Sequence, residues 1–280
     1  MNTEDTSRIS ISAHYTGYVW YKNGLSSSQF VTPMGRLANT LIAPMNRVMK
    51  TIAGAHMDTF LLQRHLLLDL LLKRLIEEQG VEQVVELACG LSPRGYRLSQ
   101  RYPHISYLET DLPGMAKRKA ELLQGLNRPA RHGVRSCNIL AEQGDESLTT
   151  LLAQLDQKKK TVVLSEGLVN YFELATIRRV WARLATALQP FPAGYYLTDL
   201  YPDLIEHPNY KYVKLTSKLV GRLTGGDWPL HYRNDQAIQE GFLQDGFSEV
   251  KVEDPANYYQ QLGLPKLKQA TLVRIIQAKA

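Results

Sequence analysis

The first regular rhythm of apolar positions falls between 57 and 79, where Leu61, Leu62, Leu68, Leu72, Leu75 and Ile76 can share one broad helical face. Gly80 ends that run. Short apolar runs then alternate with amphipathic ones. The runs at 83–87, 105–110, 134–137, 161–165 and 195–200 predict strands, and 96–101, 115–126, 146–155 and 174–188 predict helices. This alternation predicts an α/β, Rossmann-like fold, a mostly parallel sheet covered by helices on both faces. The rhythm breaks after Tyr201 for roughly thirty residues rich in Tyr, Pro and Gly. It resumes with a helix at 235–244 and strands at 248–253 and 271–277, which brings the sheet to seven strands. A long segment at the carboxyl edge of such a sheet suits a substrate lid, here about 201–232. Residues 1–55 are rich in aromatics, Ser, Gly and Met without a clean period. They predict a cap of short helices over a main domain at 56–280.

Composition changes little in that picture. Of 280 residues, 44% are hydrophobic and 21% charged, ordinary values for a chain with a sizeable core. The net charge of +6 invites a polyanion, but the basic residues are spread along the chain. Their denser groups are Arg128, Arg131, His132 and Arg135, then 158–160, then Lys211, Lys214 and Lys218, and none accompanies a nucleic-acid-reading motif. Solvated surface is the simpler reading, which argues against a nucleic-acid partner. Two cysteines, Cys89 and Cys137, support no disulfide framework. The amino terminus lacks the apolar core of a signal peptide. The most apolar stretch, 60–76, contains Arg64, Asp69, Lys73 and Arg74, whereas a membrane span needs about 20 residues nearly free of charge. A soluble, cytoplasmic protein is expected, with no membrane association. His56 and His65 stand nine apart with no Cys or carboxylate at ligand spacing, so no metal is expected.

Candidate chemistry begins at V-V-E-L-A-C-G-L-S-P-R-G, residues 84–95. Small residues after a strand let a ligand approach the backbone, and a helix amino terminus beyond the turn offers donors. Neither G-x-G-x-x-G nor Gly-Lys-Ser/Thr is present, which suits a cofactor without phosphates. A plain tight turn fits the segment equally well. Asp111 follows Gly90 by 21 residues at the end of Y-L-E-T-D-L-P, where a carboxylate can accept from both ribose hydroxyls; Glu109 is the fallback. Capping of the next helix is the competing role for Asp111. In T-V-V-L-S-E-G-L-V-N-Y-F, Glu166 closes an apolar strand and needs a cationic partner. Arg64 interrupts an apolar helix face and needs a carboxylate. Together they could clamp the amino and carboxylate ends of a methionine moiety, or Arg64 and Asp69 could form a local helix-surface network.

These segments together resemble the leucine carboxyl methyltransferase-like family of class I S-adenosylmethionine-dependent methyltransferases, which includes O-methyltransferases of polyketide pathways. The resemblance rests on L-L-Q-R-H-L-L-L-D, E-L-A-C-G-L-S-P-R-G, Y-L-E-T-D-L-P-G-M-A-x-x-K and V-L-S-E-G-L-V-N-Y-F, across about 60–172. It implies S-adenosyl-L-methionine as cofactor. Arg64 would hold its carboxylate, Glu166 its amino group, Ala88, Cys89 and Gly90 its methionine part with Glu86 beside them, and Asp111 its ribose. Asn138, where the family often carries Asp, and Ile139 would meet the adenine. The A-C-G turn replaces the usual G-x-G or G-A-G, with Cys89 as a compact filler. H-Y-T-G-Y-V-W-Y-K-N-G-L-S resembles part of the family's cap, where Tyr15, Tyr18, Trp20, Tyr21 and Lys22 either line the acceptor pocket or simply pack.

Methyl transfer from a sulfonium is an in-line displacement in which the protein chiefly positions the reactants. A carboxylate acceptor needs no base, whereas a phenol, near pKa 10, benefits from one. Candidate bases are His207, His231, Tyr201 and Asp199, none selected by spacing. Tyr171 and Tyr201 are candidate acceptor contacts. Tyr195, Tyr196, Tyr210, Tyr212 and Trp228 would also suit an apolar or aromatic small molecule. The expected reaction is methylation of an oxygen, carboxylate or hydroxyl, of a small-molecule acceptor. The alternatives are a protein C-terminal carboxylate, a thiol, an RNA-binding methyltransferase or accessory module, and a fold relic that binds without turnover.

Overall fold

Strand β1 (Gln83–Leu87) is buried along its whole length, as a run of apolar residues between two covered faces must be. In the computed structural model, which describes residues 6–53, 57–205, 210, 214, 228–264 and 271–280, it lies inside the sheet. It pairs in parallel with β2 (Ser106–Asp111) on one side and β4 (Thr161–Ser165) on the other. Beyond these lie β3 (His132–Ser136) and β5 (Gly194–Leu200), also parallel. The last two strands, β6 (Glu249–Glu253) and β7 (Arg274–Lys279), pair antiparallel, with β7 between β5 and β6. The order β3-β2-β1-β4-β5-β7-β6 is the expected seven-stranded, mostly parallel α/β sheet.

Alternate side chains of each strand feed opposite cores. Val84, Val162 and Leu164 pack on Leu67, Leu68, Leu71 and Leu75 of α3 (Met57–Gln79). Val85, Val163 and Tyr196 pack on Trp181 and Leu184 of α7 (Leu174–Leu188) and Phe242 of α8 (Asp235–Gln244). Tyr195 and Tyr196 therefore belong to these cores and not to an acceptor surface. On the same faces run α4 (Arg94–Arg101), α5 (Pro113–Leu122) and α6 (Leu148–Ala153). From β1 the chain winds out to β2 and β3, then returns to β4 on the other flank. That reversal opens a crevice at the carboxyl ends of β1, β2 and β4.

The amino-terminal region differs from the expected short helices. It forms α1 (Thr6–Lys22) and α2 (Pro33–Ala53), 17 and 21 residues long. Their crossing depends on glycine: a Cβ on Gly35 would strike the carbonyl oxygen of His14. Thr32 Oγ1 and His14 Nδ1 lie 2.8 Å apart at the same crossing. Val19, Trp20, Ala38 and Ile42 add a small apolar seam, too short to set a long period in the sequence. Of the expected lid, His207, Lys211, Tyr212 and Lys218 lie outside the described residues, as does His56. Among the described residues, no helix is long and apolar enough to cross a membrane.

Candidate functional site

At the end of β1 the backbone turns through two left-handed residues, Ala88 at φ +50° and Gly90 at φ +49°. Gly90 adopts this freely, but for Ala88 it costs about 1–2 kcal/mol, which the surrounding bonds must outweigh. Cys89 between them is buried; its N–H donates to the Thr110 carbonyl (2.9 Å) and its carbonyl accepts from Ser92 N–H (2.9 Å). Burial pushes the Cys89 thiol well up, so it stays neutral. Helix α1 roofs this turn: a Cβ on Gly90 would sit 3.2 Å from Ala13 Cβ, and one on Gly17 3.3 Å from Leu91 Cβ. From below, the fully buried Lys119 donates to the Ser92 carbonyl and pairs with Glu109 at 2.8 Å. His132 Nε2 takes the other Glu109 oxygen at 3.0 Å. Glu109 is thus committed to bracing the turn and is no fallback for a ribose.

Asp111 stands at the crevice instead. Its Oδ2 accepts from Gly90 N–H and its Oδ1 from Leu112 N–H, both at 2.8 Å. The helix that follows, α5, has no side-chain cap, so the capping role does not explain this carboxylate. Burial pushes the Asp111 carboxyl up despite the two backbone donors. A half-buried carboxylate held by two backbone donors retains acceptor capacity.

The centre of the site is a buried cluster of opposite charges. Arg64 Nε donates to Glu166 Oε1 at 3.0 Å, and its Nη1 lies 3.7 Å from Asp199 Oδ2. Asp199 also accepts from Gly167 N–H at 2.6 Å, which ties the end of β5 to the turn after β4. Arg94, with no exposed side chain, meets three carboxylates: Asp69 at 2.6 Å, Glu86 at 2.8 Å and Glu166 at 2.6 Å. Glu86 receives Tyr107 O–H on its second oxygen at 2.7 Å, and Arg97 closes on Asp69. Burial alone would raise Glu166, but His65, Arg94 and Arg64 outweigh it and hold this carboxyl well below the usual range. The sequence alternative of a local helix-surface network does not hold. Arg64 and Asp69 are not a surface pair; both are buried and bind different partners.

Gly167, at φ +66°, lets Arg64 lie against its backbone: a Cβ there would fall 2.7 Å from Arg64 Nη2 and 2.9 Å from Nη1. Gly167→Ala is therefore expected to displace Arg64 from Glu166 and Asp199. It should lower the stability by about 1–3 kcal/mol, read as a lower unfolding midpoint.

Other expected site residues fall into two groups. Asn138, half-buried, turns Oδ1 to Leu140 N–H (3.0 Å), and Ile139 is buried with its carbonyl held by Arg183 (2.9 Å). Tyr171 O–H donates to Ser12 Oγ (3.0 Å), joining the turn after β4 to α1. Tyr201 lies beside Trp228 with ring centroids 5.0 Å apart, and burial pushes its phenol up to about 12. Asn170 fixes this region by accepting from Tyr201 N–H (2.9 Å) and donating to the Pro229 carbonyl (2.7 Å). By contrast, Tyr15 donates to Asp58 (2.6 Å), Lys22 pairs with Asp58, and Trp20 stacks on His65. Tyr18 and Tyr21 are half-buried neighbours with ring centroids 6.0 Å apart. His231 is buried against the backbone of Phe172 and Val169, and burial lowers its pKa. Among the described residues no group of His, Cys, Asp or Glu is arranged to hold a metal ion.

Sequence reasoning missed Arg94, His65 and Lys119 as parts of the site. The signal for Arg94 was available: an arginine directly after a buried glycine turn, three carboxylates nearby in the same motifs, and no solvent-facing period to place it.

A parallel sheet in the order above, with a glycine turn after β1 and an acidic residue closing β2, defines a class I methyltransferase-type fold. The leucine carboxyl methyltransferase model matches residues 23–185, and the chain belongs to that family of class I S-adenosylmethionine-dependent methyltransferases. A Mycobacterium ulcerans (strain Agy99) protein named "Putative S-adenosyl-L-methionine-dependent methyltransferase" is 37% identical over 95 residues, 33% of this chain and 29% of the relative. A protein of the same name from Mycobacterium marinum matches equally. The chain thus spans less than a third of the curated relatives it matches. Among solved structures, a DUF574 family protein from Streptomyces avermitilis superposes with a TM-score of 0.61 at 12% identity, covering 96% of both chains. A "putative methyltransferase" from Thermobifida fusca gives a TM-score of 0.61 at 14% identity, covering 95% of this chain and 93% of its own.

Proposed function

We propose that this chain is an S-adenosylmethionine-dependent methyltransferase that methylates an oxygen, carboxylate or hydroxyl, of a small-molecule acceptor. The observation that carries the cofactor reading is that Asp111 holds the glycine turn at the end of β2 while Glu166, just beyond β4, pairs with Arg64 of α3. The Arg64–Glu166 pair has the ends an amino acid needs. An incoming carboxylate replaces Glu166 at Arg64, and an incoming ammonium replaces Arg64 at Glu166, so one buried ion pair becomes two without a net change in charge. Asp111 accepts the ribose hydroxyls, and Ala88, Cys89 and Gly90 line the methionine part. Asn138 and Ile139 border the adenine. Glu86, whose oxygens are taken by Arg94 and Tyr107, acts by holding Arg94 in place.

When bound, the cofactor supplies an electrophilic methyl on a sulfonium. The chain's own residues then orient the acceptor and exclude water. Helices α1 and α2 would belong to a cap (1–55) over the main domain (56–280); most of the expected lid (201–232) lies outside the described residues. Tyr18, Tyr21, Tyr171 and Tyr201 are the side chains assigned to an apolar or aromatic acceptor. Lys22 is paired with Asp58. A carboxylate acceptor would react without a base. For a hydroxyl, His231, Tyr201 and Asp199 compete poorly: His231 is braced on backbone, Tyr201 holds its proton up to about 12, and Asp199 is committed to Gly167 and Arg64. That balance favours an acceptor that is already ionised.

The test is transfer of an isotopically labelled methyl group to a panel of small carboxylates, phenols, thiols and peptides with a free C-terminal carboxylate. Labelling of carboxylates or phenols is expected. Label passing only to thiols or peptides would contradict the acceptor class while leaving the donor in place.

A further inference from the structure

Asn170 is buried in the 3-10 turn Val169–Tyr171, four residues beyond Glu166. Its Oδ1 accepts from Tyr201 N–H at 2.9 Å. Its Nδ2 donates to the Tyr201 carbonyl at 3.1 Å and to the Pro229 carbonyl at 2.7 Å. Only one orientation of the amide fits, since the reverse would set N–H against N–H and oxygen against two carbonyls. The two stretches it joins also bond each other. His231 N–H reaches the Tyr201 carbonyl at 3.3 Å, and Asp203 N–H reaches the Tyr232 carbonyl at 2.7 Å. The His231 ring is held by the backbone of Val169 and Phe172, which flank Asn170 in the chain. Two stems, 201–203 and 229–232, are therefore fastened to the turn after β4. They carry Tyr201 and its neighbour Trp228, whose rings lie 5.0 Å apart. The same turn carries Glu166, bound to Arg64, and Gly167, bound to Asp199.

We propose that Asn170 is a positioning residue for methyl transfer, holding the acceptor-side stems at Tyr201 and Pro229 in register with the turn that presents Glu166 to the cofactor. This rests on the cofactor and acceptor reading above. In-line displacement needs donor and acceptor nearly in contact, and a misplacement of about 1 Å can cost on the order of 100-fold in rate. A single mount for both sides limits that error. The position calls for one acceptor and two donors at once, which a side-chain amide supplies and a carboxylate or a hydroxyl does not.

The experiment compares the full-length wild type with Asn170→Asp. The variant keeps the size and the acceptor for Tyr201 N–H but turns an oxygen toward two carbonyls. Calorimetry reads S-adenosylmethionine binding, and steady-state transfer of labelled methyl to the acceptor panel above reads KM and kcat. Cofactor affinity is expected to stay within about threefold of the wild type, while KM for each labelled acceptor rises about tenfold or more. A role in stability alone would reduce the active fraction and leave both KM values unchanged. An unchanged acceptor KM overturns the inference, and so does a loss of cofactor affinity as large as the rise in acceptor KM. Hydrogen exchange at the Asp203 and His231 amides reads the stems with no acceptor present. It should quicken about tenfold in Asn170→Asp, and unchanged exchange also overturns the inference. If Asn170→Asp does not fold, Asn170→Ser, whose hydroxyl can serve one carbonyl, provides the same comparison. A wild type that binds no S-adenosylmethionine, or labels nothing in the panel, contradicts the proposed function instead; the exchange measurement then decides the role of Asn170.

Discussion

Arg94→Met is expected to lower the stability of the folded chain by about 3–5 kcal/mol, a drop in unfolding midpoint on the order of 10 °C. Arg94 is fully buried and is the common partner of Asp69, Glu86 and Glu166, which come from α3, β1 and the turn after β4. Without it, Glu86 keeps only Tyr107, Asp69 keeps only Arg97, and Glu166 must rely on Arg64 and His65. Methionine fills much of the volume, so the loss is electrostatic. Arg94→Lys retains the charge but not the fork that meets three carboxylates, and it should recover only part of the stability. A midpoint for Arg94→Met within a degree or two of the wild type would mean that the cluster does not depend on this residue.

Asp111→Asn is expected to weaken S-adenosylmethionine binding by about 100-fold or more while leaving the unfolding midpoint close to the wild type. Each hydrogen bond to a charged group contributes about 1.5–3 kcal/mol, and a ribose diol makes two with this carboxylate. The amide keeps one acceptor oxygen, which must choose between Gly90 N–H and Leu112 N–H, so little remains for the ribose. Titration calorimetry on the variant reads the loss directly. Undiminished binding would remove Asp111 from the ribose contact.

Much of this molecule was legible in the sequence, and unevenly so. The helices at Met57–Gln79 and Leu174–Leu188 and the strands at Gln83–Leu87 and Thr161–Ser165 fall where their apolar rhythm places them, because burial on one stripe or two faces writes a period into the chain. Strand β3 begins two residues before the expected start, at His132 and Gly133, neither a strand former. Its register against β2 and the His132–Glu109 bond hold it there, and those are tertiary facts. The long α1 and α2 were hidden for a related reason, since beside a small apolar seam of Val19, Trp20, Ala38 and Ile42 they cross through the backbone at Gly35 and His14. At the site, Asp111 and Glu166 stood out as charges at the ends of apolar runs, and Arg64 as a charge interrupting an apolar helix face. His65 and Lys119 act on protein groups from other segments, and spacing along the chain carries no trace of such pairings.

A crystal structure of the chain with S-adenosylhomocysteine tests the central claim most directly. The ribose hydroxyls should lie within hydrogen-bond reach of Asp111, the amino group against Glu166 and the carboxylate against Arg64, with the direct Arg64–Glu166 contact opened. A nucleoside bound elsewhere, or an Arg64–Glu166 pair unchanged beside a ligand that touches neither residue, would contradict it.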